Sequence, residues 1–544
     1  MENFSLLYPE GKAPSFRTLP NETCNDLSLD KILDYITEND SEKKIMKNMM
    51  MRIESDPDVI RYRCDVFEDI FRFPDLRDKM KDMLEQLDFL KNIGKTFKDD
   101  SVAPIWQLIN RLKELEAYAD CITGIQQALK KCSVRSAGLK KLEKYVLSVC
   151  ESSGFEQLKT DIQSLLTETS RIQSITLGVN LDEMLCPVEV GILSINEDKF
   201  DHSGILDNFL GFCAKLSELI NINSGSMTKI HTSGSTAEED PLMKNLSRAV
   251  TDMLGATVKH MKTKLARYVN ISAYSLTKFI PELLFYIRWA DFCNRVMRAG
   301  LPMSRPEILH NNSCTVYSED MYNIKLAMGI LSGKNTDVVT NNFEFTKEHG
   351  VYIMTGPNRG GKTTFTQAVG ILFLMAQHGI YVPARRLELS PCDNIFTHFP
   401  ADENKTVDLG RLGEESKRIN YIFSEATDQS LLLFNEPLAS TSFSEGLYIA
   451  KDVLQALCIL GARTIFNTHM HELAMNLDTI NVPGGKLKAA SLITDVYKGQ
   501  RSYKVSVAPP MGISYARDIA EKYGVTLDQL KQTMYRSCFI QKTA

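Results

Sequence analysis

The segment Gly356-Pro-Asn-Arg-Gly-Gly-Lys-Thr-Thr364 constrains this chain more than any other, because it fills every position of the pattern Gly-x-x-x-x-Gly-Lys-[Ser/Thr]. Before it, Val351-Tyr-Ile-Met354 has the β-branched, apolar character of a short buried strand, and Phe365 to Gln377 continues as a helix. A glycine-rich turn between strand and helix lets backbone N–H groups approach phosphate oxygens closely. The helix then points its positive N-terminal end at the same anion. The reading is a nucleotide site in which Gly356, Pro357, Asn358, Arg359, Gly360, Gly361, Lys362, Thr363 and Thr364 surround the phosphates. Lys362 would reach the β- and γ-phosphates and the Thr363 hydroxyl would ligate Mg²⁺. The competing reading is an ordinary glycine-rich turn.

The chain has 544 residues, enough for three or four domains with a sizeable core. A net charge of −5 means that nucleic-acid contact has to come from local basic patches, since the field of the whole chain does not favour it. The twelve cysteines include no Cys-x-x-Cys pair and fall mostly in apolar helical patterns, as small core residues of a reducing compartment do. The N-terminus lacks a basic stretch followed by an apolar one, and no run approaches the length of a membrane span. The expectation is a cytoplasmic protein with no membrane partner.

From about Leu27 to Gly154 apolar residues recur at helical spacing, as in Asp75-Leu-Arg-Asp-Lys-Met-Lys-Asp-Met-Leu-Glu-Gln-Leu87. Around residues 172–200 the period changes, and Gln173 to Val179 and Val188 to Ile195 alternate like two strands joined through Pro187. Asn221 to Pro241, rich in Ser, Gly, Thr and Asn, reads as a mobile loop. Leu242 to about Gly300 returns to helical periodicity, with Lys259, Lys262, Lys264 and Arg267 on a basic face. Lys130, Lys131, Arg135, Lys140, Lys141 and Lys144 form a second cluster. Such faces are more often solvated than bound to DNA. After Pro302 and Pro306 strand-like and helix-like segments alternate, the pattern of an α/β domain. The expected organisation is a helical core domain over 1–160, a small β-containing, clamp-like or connecting segment over 161–241, returning helical core over 242–310, and an α/β ATPase domain over 311–544.

Leu431-Leu-Leu-Phe-Asn-Glu436 is an apolar strand ending in a carboxylate, about seventy residues beyond the phosphate loop. It resembles a Walker B strand with Asn435 where Asp is usual. Asn keeps an oxygen acceptor but lacks the charge, so Mg²⁺ would be held less firmly. Glu436 remains as general base or water-positioning group. Phe466-Asn-Thr-His469-Met-His471 follows another apolar stretch, and His469 is the candidate for reaching the γ-phosphate. A metal reading of His469-x-His471 has no third ligand at suitable spacing, and a plain surface histidine is the bland alternative.

These segments, with Gly379-Ile-Tyr-Val-Pro-Ala384, Asp393-Asn-Ile-Phe-Thr397, Thr441-Ser442 and Thr468-His-Met-His-Glu-Leu473, occur in the order seen in MutS-type ATPases. Ser514-Tyr-Ala-Arg-Asp-Ile-Ala520 resembles the segment that ends this domain in the family, and Val66 to Met80 and Leu283 to Ile308 are similar to parts of a MutS core domain. The resemblance implies an ABC-type ATPase using ATP and Mg²⁺, a homodimer through its nucleotide domains, and helices reaching DNA. It further implies composite sites, with a signature segment of one subunit facing the nucleotide of the other.

The chain departs from the family at several points. The signature segment corresponds to Leu409-Gly-Arg-Leu-Gly-Glu-Glu415, where the family shows a Ser-Thr pair; the Gly410 N–H or Arg411 would have to replace the hydroxyl. Arg359 stands where the family usually has Met. A mismatch-sensing MutS carries a Phe-x-Glu wedge in a separate N-terminal domain, whereas here Phe-x-Glu occurs at Phe423, Phe434 and Phe443, inside the ATPase region. The resemblance thus implies a DNA-associated ATP-driven clamp in repair or recombination, a short form without its own mismatch wedge. Two other readings stay open: an ATP-gated clamp on structured RNA or ribosomes, and a nucleotide-binding scaffold of low turnover.

Overall fold

The computed structural model describes residues 5–96, 104–171, 173–184, 187–199, 254–269, 271, 274–310, 314–334, 337–346, 348–357, 359–400, 410–497, 500–510, 521 and 523–540. The expected mobile loop at 221–241 and the segment Ser514 to Ala520 lie outside the described residues. The chain forms two compact units, one built from 78–133 and 142–280, the other from 2–77, 134–141 and 281–544. Residues 5–77 thus share a unit with the ATPase-like sequence, a grouping that differs from borders drawn at 160, 241 and 310.

Among the described residues the first unit is helical with one hairpin. Pro104–Lys131 packs against Ser153–Ser170 and Gly255–Leu265 through Leu112, Leu115, Ile122, Leu158, Leu165 and Met261, all buried. Polar groups pair within it: the Tyr268 hydroxyl donates to Asp161 at 2.5 Å, and Arg111 donates to the Tyr268 carbonyl at 2.7 Å. The alternating stretches pair as an antiparallel hairpin, Ser174–Leu181 with Pro187–Asn196, the second strand opening on Pro187, where a missing N–H costs the ladder least.

The second unit is built on a six-stranded sheet. Its spatial order is Ile395–His398, Leu431–Asn435, Arg463–Asn467, His349–Thr355, Lys488–Tyr497 and Gln500–Val507. The first five run parallel to their neighbours and the last closes an antiparallel hairpin. Every residue of Leu431–Asn435 and Arg463–Asn467 is buried, which is why these strands read as continuous apolar runs without alternation: helices cover both faces of a parallel sheet. Buried Arg463 is the one charged residue in these two strands, and its two terminal nitrogens donate to the carbonyls of Ser390, Pro391 and Gln429 at 2.6, 3.1 and 3.1 Å. A four-stranded sheet of Glu307–Ile308, Arg386–Leu389, Val316–Met321 and Asn341–Phe345 completes the unit.

The N-terminal residues are woven into this α/β body. Thr23 Oγ1 donates to the Ile395 carbonyl at 3.1 Å, Thr397 Oγ1 donates to Asp26 at 2.6 Å, and Gln377 Nε2 donates to the Glu54 carbonyl at 2.7 Å. Arg418 forms an ion pair with the same Asp26. Gly379, just past the end of the Lys362–Gln377 helix, marks the tightest approach. Its φ is +73°, and a Cβ there would lie 2.3 Å from Arg63 Cβ and 2.8 Å from the Cys64 backbone nitrogen. Gly379→Ala is expected to destabilise this unit by about 3 kcal/mol, from left-handed strain and overpacking together. The shift of the urea midpoint measures it, and an unchanged midpoint would refute the close packing.

Candidate functional site

The ends of three neighbouring strands converge on one loop. His349–Thr355 runs into residues 356–361, which lead into the helix Lys362–Gln377, while Leu431–Asn435 and Arg463–Asn467 end beside them. Backbone bonds stitch these ends together: Glu436 N–H donates to the Asn467 carbonyl at 2.8 Å, and Thr468 N–H donates to the Met354 carbonyl at 3.0 Å. Ligands of open α/β sheets collect at such carboxyl ends.

The loop is shaped by close approach. Gly356 has φ +144°, and a Cβ on it would fall 2.0 Å from Thr494 Oγ1; at Gly360 it would lie 2.8 Å from the Pro357 carbonyl. Gly361, at φ +92°, caps the helix, whose own first turn carries no acidic residue to offset its positive end. Arg359 also adopts a left-handed φ, +60°. Lys362 is buried, and its Nζ donates to the carbonyls of Gly356 and Pro357 at 3.1 and 3.3 Å. Burial lowers its pKa, while the nearby Glu436 carboxylate works in the opposite sense. Asn358 lies outside the described residues.

Thr363, Asn435, Glu436 and His469 all come to the same place. Thr363 Oγ1 donates to Asn435 Oδ1 at 2.9 Å. Glu436 adopts φ +52°, an uncommon conformation for a residue with a side chain, and its carboxylate meets His469 Nε2 at 2.8 Å. The His469 hydrogen bond holds the Glu436 carboxyl below its usual range, overcoming the opposing effect of burial, and Lys362 adds to the shift. A cavity of about 620 Å³ opens beside these groups, bordered by Tyr322, Asn323, Asn341, Arg359, Lys362 and Tyr503. That volume suits a nucleotide-sized ligand. Two oxygen donors, Thr363 Oγ1 and Asn435 Oδ1, face one another with the Glu436 carboxylate near, a donor set that fits a hard divalent cation such as Mg²⁺. Among the described residues no three His, Cys, Asp or Glu side chains converge as a metal cage, so the other ligands of such a cation would come from phosphate and water.

The candidate signature segment is only partly described. Gly410, at φ +68°, opens the helix Gly410–Glu425, while Leu409 and the Arg411 side chain lie outside the described residues.

Residues 352–520, which contain most of this site, match MutS domain V, and residues 55–299 match the MutS2 N-terminal domain. Over 468 residues the chain is 23% identical to the DNA mismatch repair protein MutS of Streptococcus thermophilus, an alignment covering 82% of this chain and 50% of that protein. It is 25% identical over 370 residues to the DNA mismatch repair protein MutS of Staphylococcus haemolyticus, covering 62% of this chain and 40% of that one. A stretch of 182 residues reaches 34% identity with the protein of that name from Clostridium botulinum, covering 31% of this chain and 19% of that one. The chain belongs to the MutS family. It spans about half the length of the curated relatives that it matches most extensively.

Within this MutS-family site the structure adds residues that sequence reading passed over. Asn467, buried, donates through Nδ2 to Asn435 Oδ1 at 2.7 Å. A signal for it was present, since both strands end in Phe-Asn, at Phe434-Asn435 and Phe466-Asn467, and the two pairs lie in register. Thr494 sits against Gly356 and Gly360, and the Tyr503 ring lies 3.3 Å from where a Gly361 Cβ would be. Asn323 Nδ2 donates to the Thr364 carbonyl at 2.9 Å, and Asn341 bonds the backbone on both sides of Lys504. None of these has a local motif. No helix among the described residues is long and apolar enough to cross a membrane.

Proposed function

We propose that this MutS-family chain binds and hydrolyses ATP and works on DNA as a dimeric, ATP-driven clamp in repair or recombination. The observation that carries the reading is the meeting of Lys362, Thr363, Asn435 and the Glu436–His469 pair at one helix N-terminus beside a nucleotide-sized cavity. Residues 356–364 would hold the phosphates, with Lys362 turning from its own loop carbonyls to the β- and γ-phosphates. Thr363 and Asn435 would hold Mg²⁺, which when bound offsets phosphate charge. Glu436, kept ionised by His469, would orient and deprotonate the attacking water, and His469 would in turn contact the γ-phosphate. Tyr503, which borders the cavity, supplies a surface on which a base could stack.

In this reading 311–544 is the ATPase domain through which two copies pair, with the 409–415 segment of each facing the other's nucleotide. Residues 1–160 and 242–310 form the lever, and 161–241 the clamp-like segment. Contacts to DNA would be to its backbone and would depend on shape. Lys259 and Lys262 are exposed on the Gly255–Leu265 helix, and Lys264, partly buried, donates to Ser164 Oγ at 3.0 Å. Reversing all three to Glu is expected to weaken duplex binding by at least about tenfold at low salt and to flatten its salt dependence. Unchanged affinity in a fluorescence-anisotropy titration removes this helix from the DNA surface.

A second reading, an ATP-gated clamp on structured RNA or ribosomes, is kept open by the net charge of −5, which gives the chain no overall attraction to duplex DNA. ATPase activity measured against duplex, branched and mismatched DNA and structured RNA separates the two. Stimulation by duplex or branched DNA supports the first. Stimulation by RNA alone overturns it in favour of the second.

A further inference from the structure

Asn435 and Asn467 end adjacent parallel strands at the same register position. Asn467 is fully buried, and its Nδ2 donates to Asn435 Oδ1 at 2.7 Å, the oxygen that also accepts from Thr363 at 2.9 Å. The other end of the Asn467 amide, Oδ1, is buried without a hydrogen-bond partner. A buried acceptor left unpaired opposes folding, and an apolar residue at 467 would avoid that penalty. The feature therefore calls for a reason outside stability.

The chemistry of position 435 supplies one. A carboxylate there would show an acceptor oxygen whichever way its plane turned. An amide shows oxygen in one orientation and an NH₂ donor in the other. Only the oxygen face can accept from Thr363 and face a cation; the NH₂ face could still donate to the Thr363 hydroxyl but would repel the cation. A donor fixed on the far side of the oxygen holds the amide in the useful orientation, and Asn467 Nδ2 is that donor. We infer that Asn467 is a positioning residue, which keeps the Asn435 oxygen turned toward Thr363 and the cation that accompanies the nucleotide, so that an amide serves where a carboxylate has no orientation to lose. The inference rests on the ATP and Mg²⁺ reading above.

The test is a double-mutant cycle read by equilibrium binding. Affinity for a fluorescent ATP analogue is measured with EDTA and with Mg²⁺ for the natural protein, Asn467→Ala, Asn435→Asp and the double variant, each checked for folding by thermal unfolding. With Asn435 in place, Asn467→Ala is expected to reduce the Mg²⁺-dependent gain in affinity about fivefold to tenfold. In the Asn435→Asp background the same change should cost less than about twofold, with EDTA affinities unchanged in both. If the alanine variant does not fold, Asn467→Leu, similar in length and without a donor, takes its place in the cycle. An equal loss in the two backgrounds, or no loss with Asn435 in place, overturns the inference. If the natural protein fails to bind the analogue even with EDTA, the ATP reading itself is what falls.

Discussion

Replacing Glu436 by Gln is expected to cut ATP turnover by at least about 100-fold while leaving ATP affinity within about threefold. The substitution keeps size and one acceptor oxygen but removes the basic oxygen that meets His469 at 2.8 Å. Because the loss falls on proton transfer rather than on holding the phosphates, kcat drops and binding survives. The His469 hydrogen bond, which holds the Glu436 carboxyl below its ordinary value, adds a second signature. The acid limb of the pH–rate profile should lie below the usual carboxylate range in the natural protein and move upward in His469→Ala. Turnover in Glu436→Gln within threefold of the natural protein would remove Glu436 as the base. Absence of turnover in the natural protein under all nucleic-acid conditions would favour a low-turnover scaffold instead.

Lys362→Met is expected to weaken ATP binding by about 10- to 100-fold, the range for losing a charge-assisted hydrogen bond to an anion. The side chain is buried, and its Nζ is satisfied by the Gly356 and Pro357 carbonyls, so its ammonium is already desolvated before it meets a phosphate. The methionine also leaves those two carbonyls without their donor, so some loss of loop order should accompany the loss of affinity. Lys362→Arg separates the effects: it restores charge but not the compact geometry of an ammonium, and should recover only part of the affinity. A fluorescent-nucleotide titration measures both variants, and ATP should raise the unfolding temperature of the natural protein but not of Lys362→Met. Equal affinity in Lys362→Met would show that the loop is not a phosphate site.

What sequence made legible was whatever lies close together along the chain. The strand, the glycine loop and the helix at 349–377 are contiguous, and their order alone announces the geometry that the structure has. The carboxylate and histidine candidates were legible because each follows a strand wholly buried in a parallel sheet, and such strands leave their ends at one edge. The hairpin around Pro187 was marked by its change of period. Illegible were contacts made only by register and docking. Thr494 lies opposite Gly356 because two strands pair, and nothing near Thr494 signals a phosphate loop. Tyr503 reaches the cavity from the antiparallel edge, in a left-handed conformation at φ +56° that no local pattern indicates. The helical pattern of Leu27 to Gly154 likewise looks uniform, although residues 5–77 share a unit with the sheet and 78–133 belong to another.

That last arrangement has a practical consequence for anyone wishing to prepare the α/β half alone. A fragment cut at the apparent border near residue 311 would lose Asp26 from beside Arg418, the Glu54 carbonyl from Gln377, and the packing of Arg63 and Cys64 on Gly379. It would bring into water surfaces that evolved to be interior, and aggregation is its natural fate. A fragment holding this α/β unit has to be assembled from separated pieces of sequence, with residues 5–77 and 134–141 joined to 281–544 by linkers or supplied as separate polypeptides.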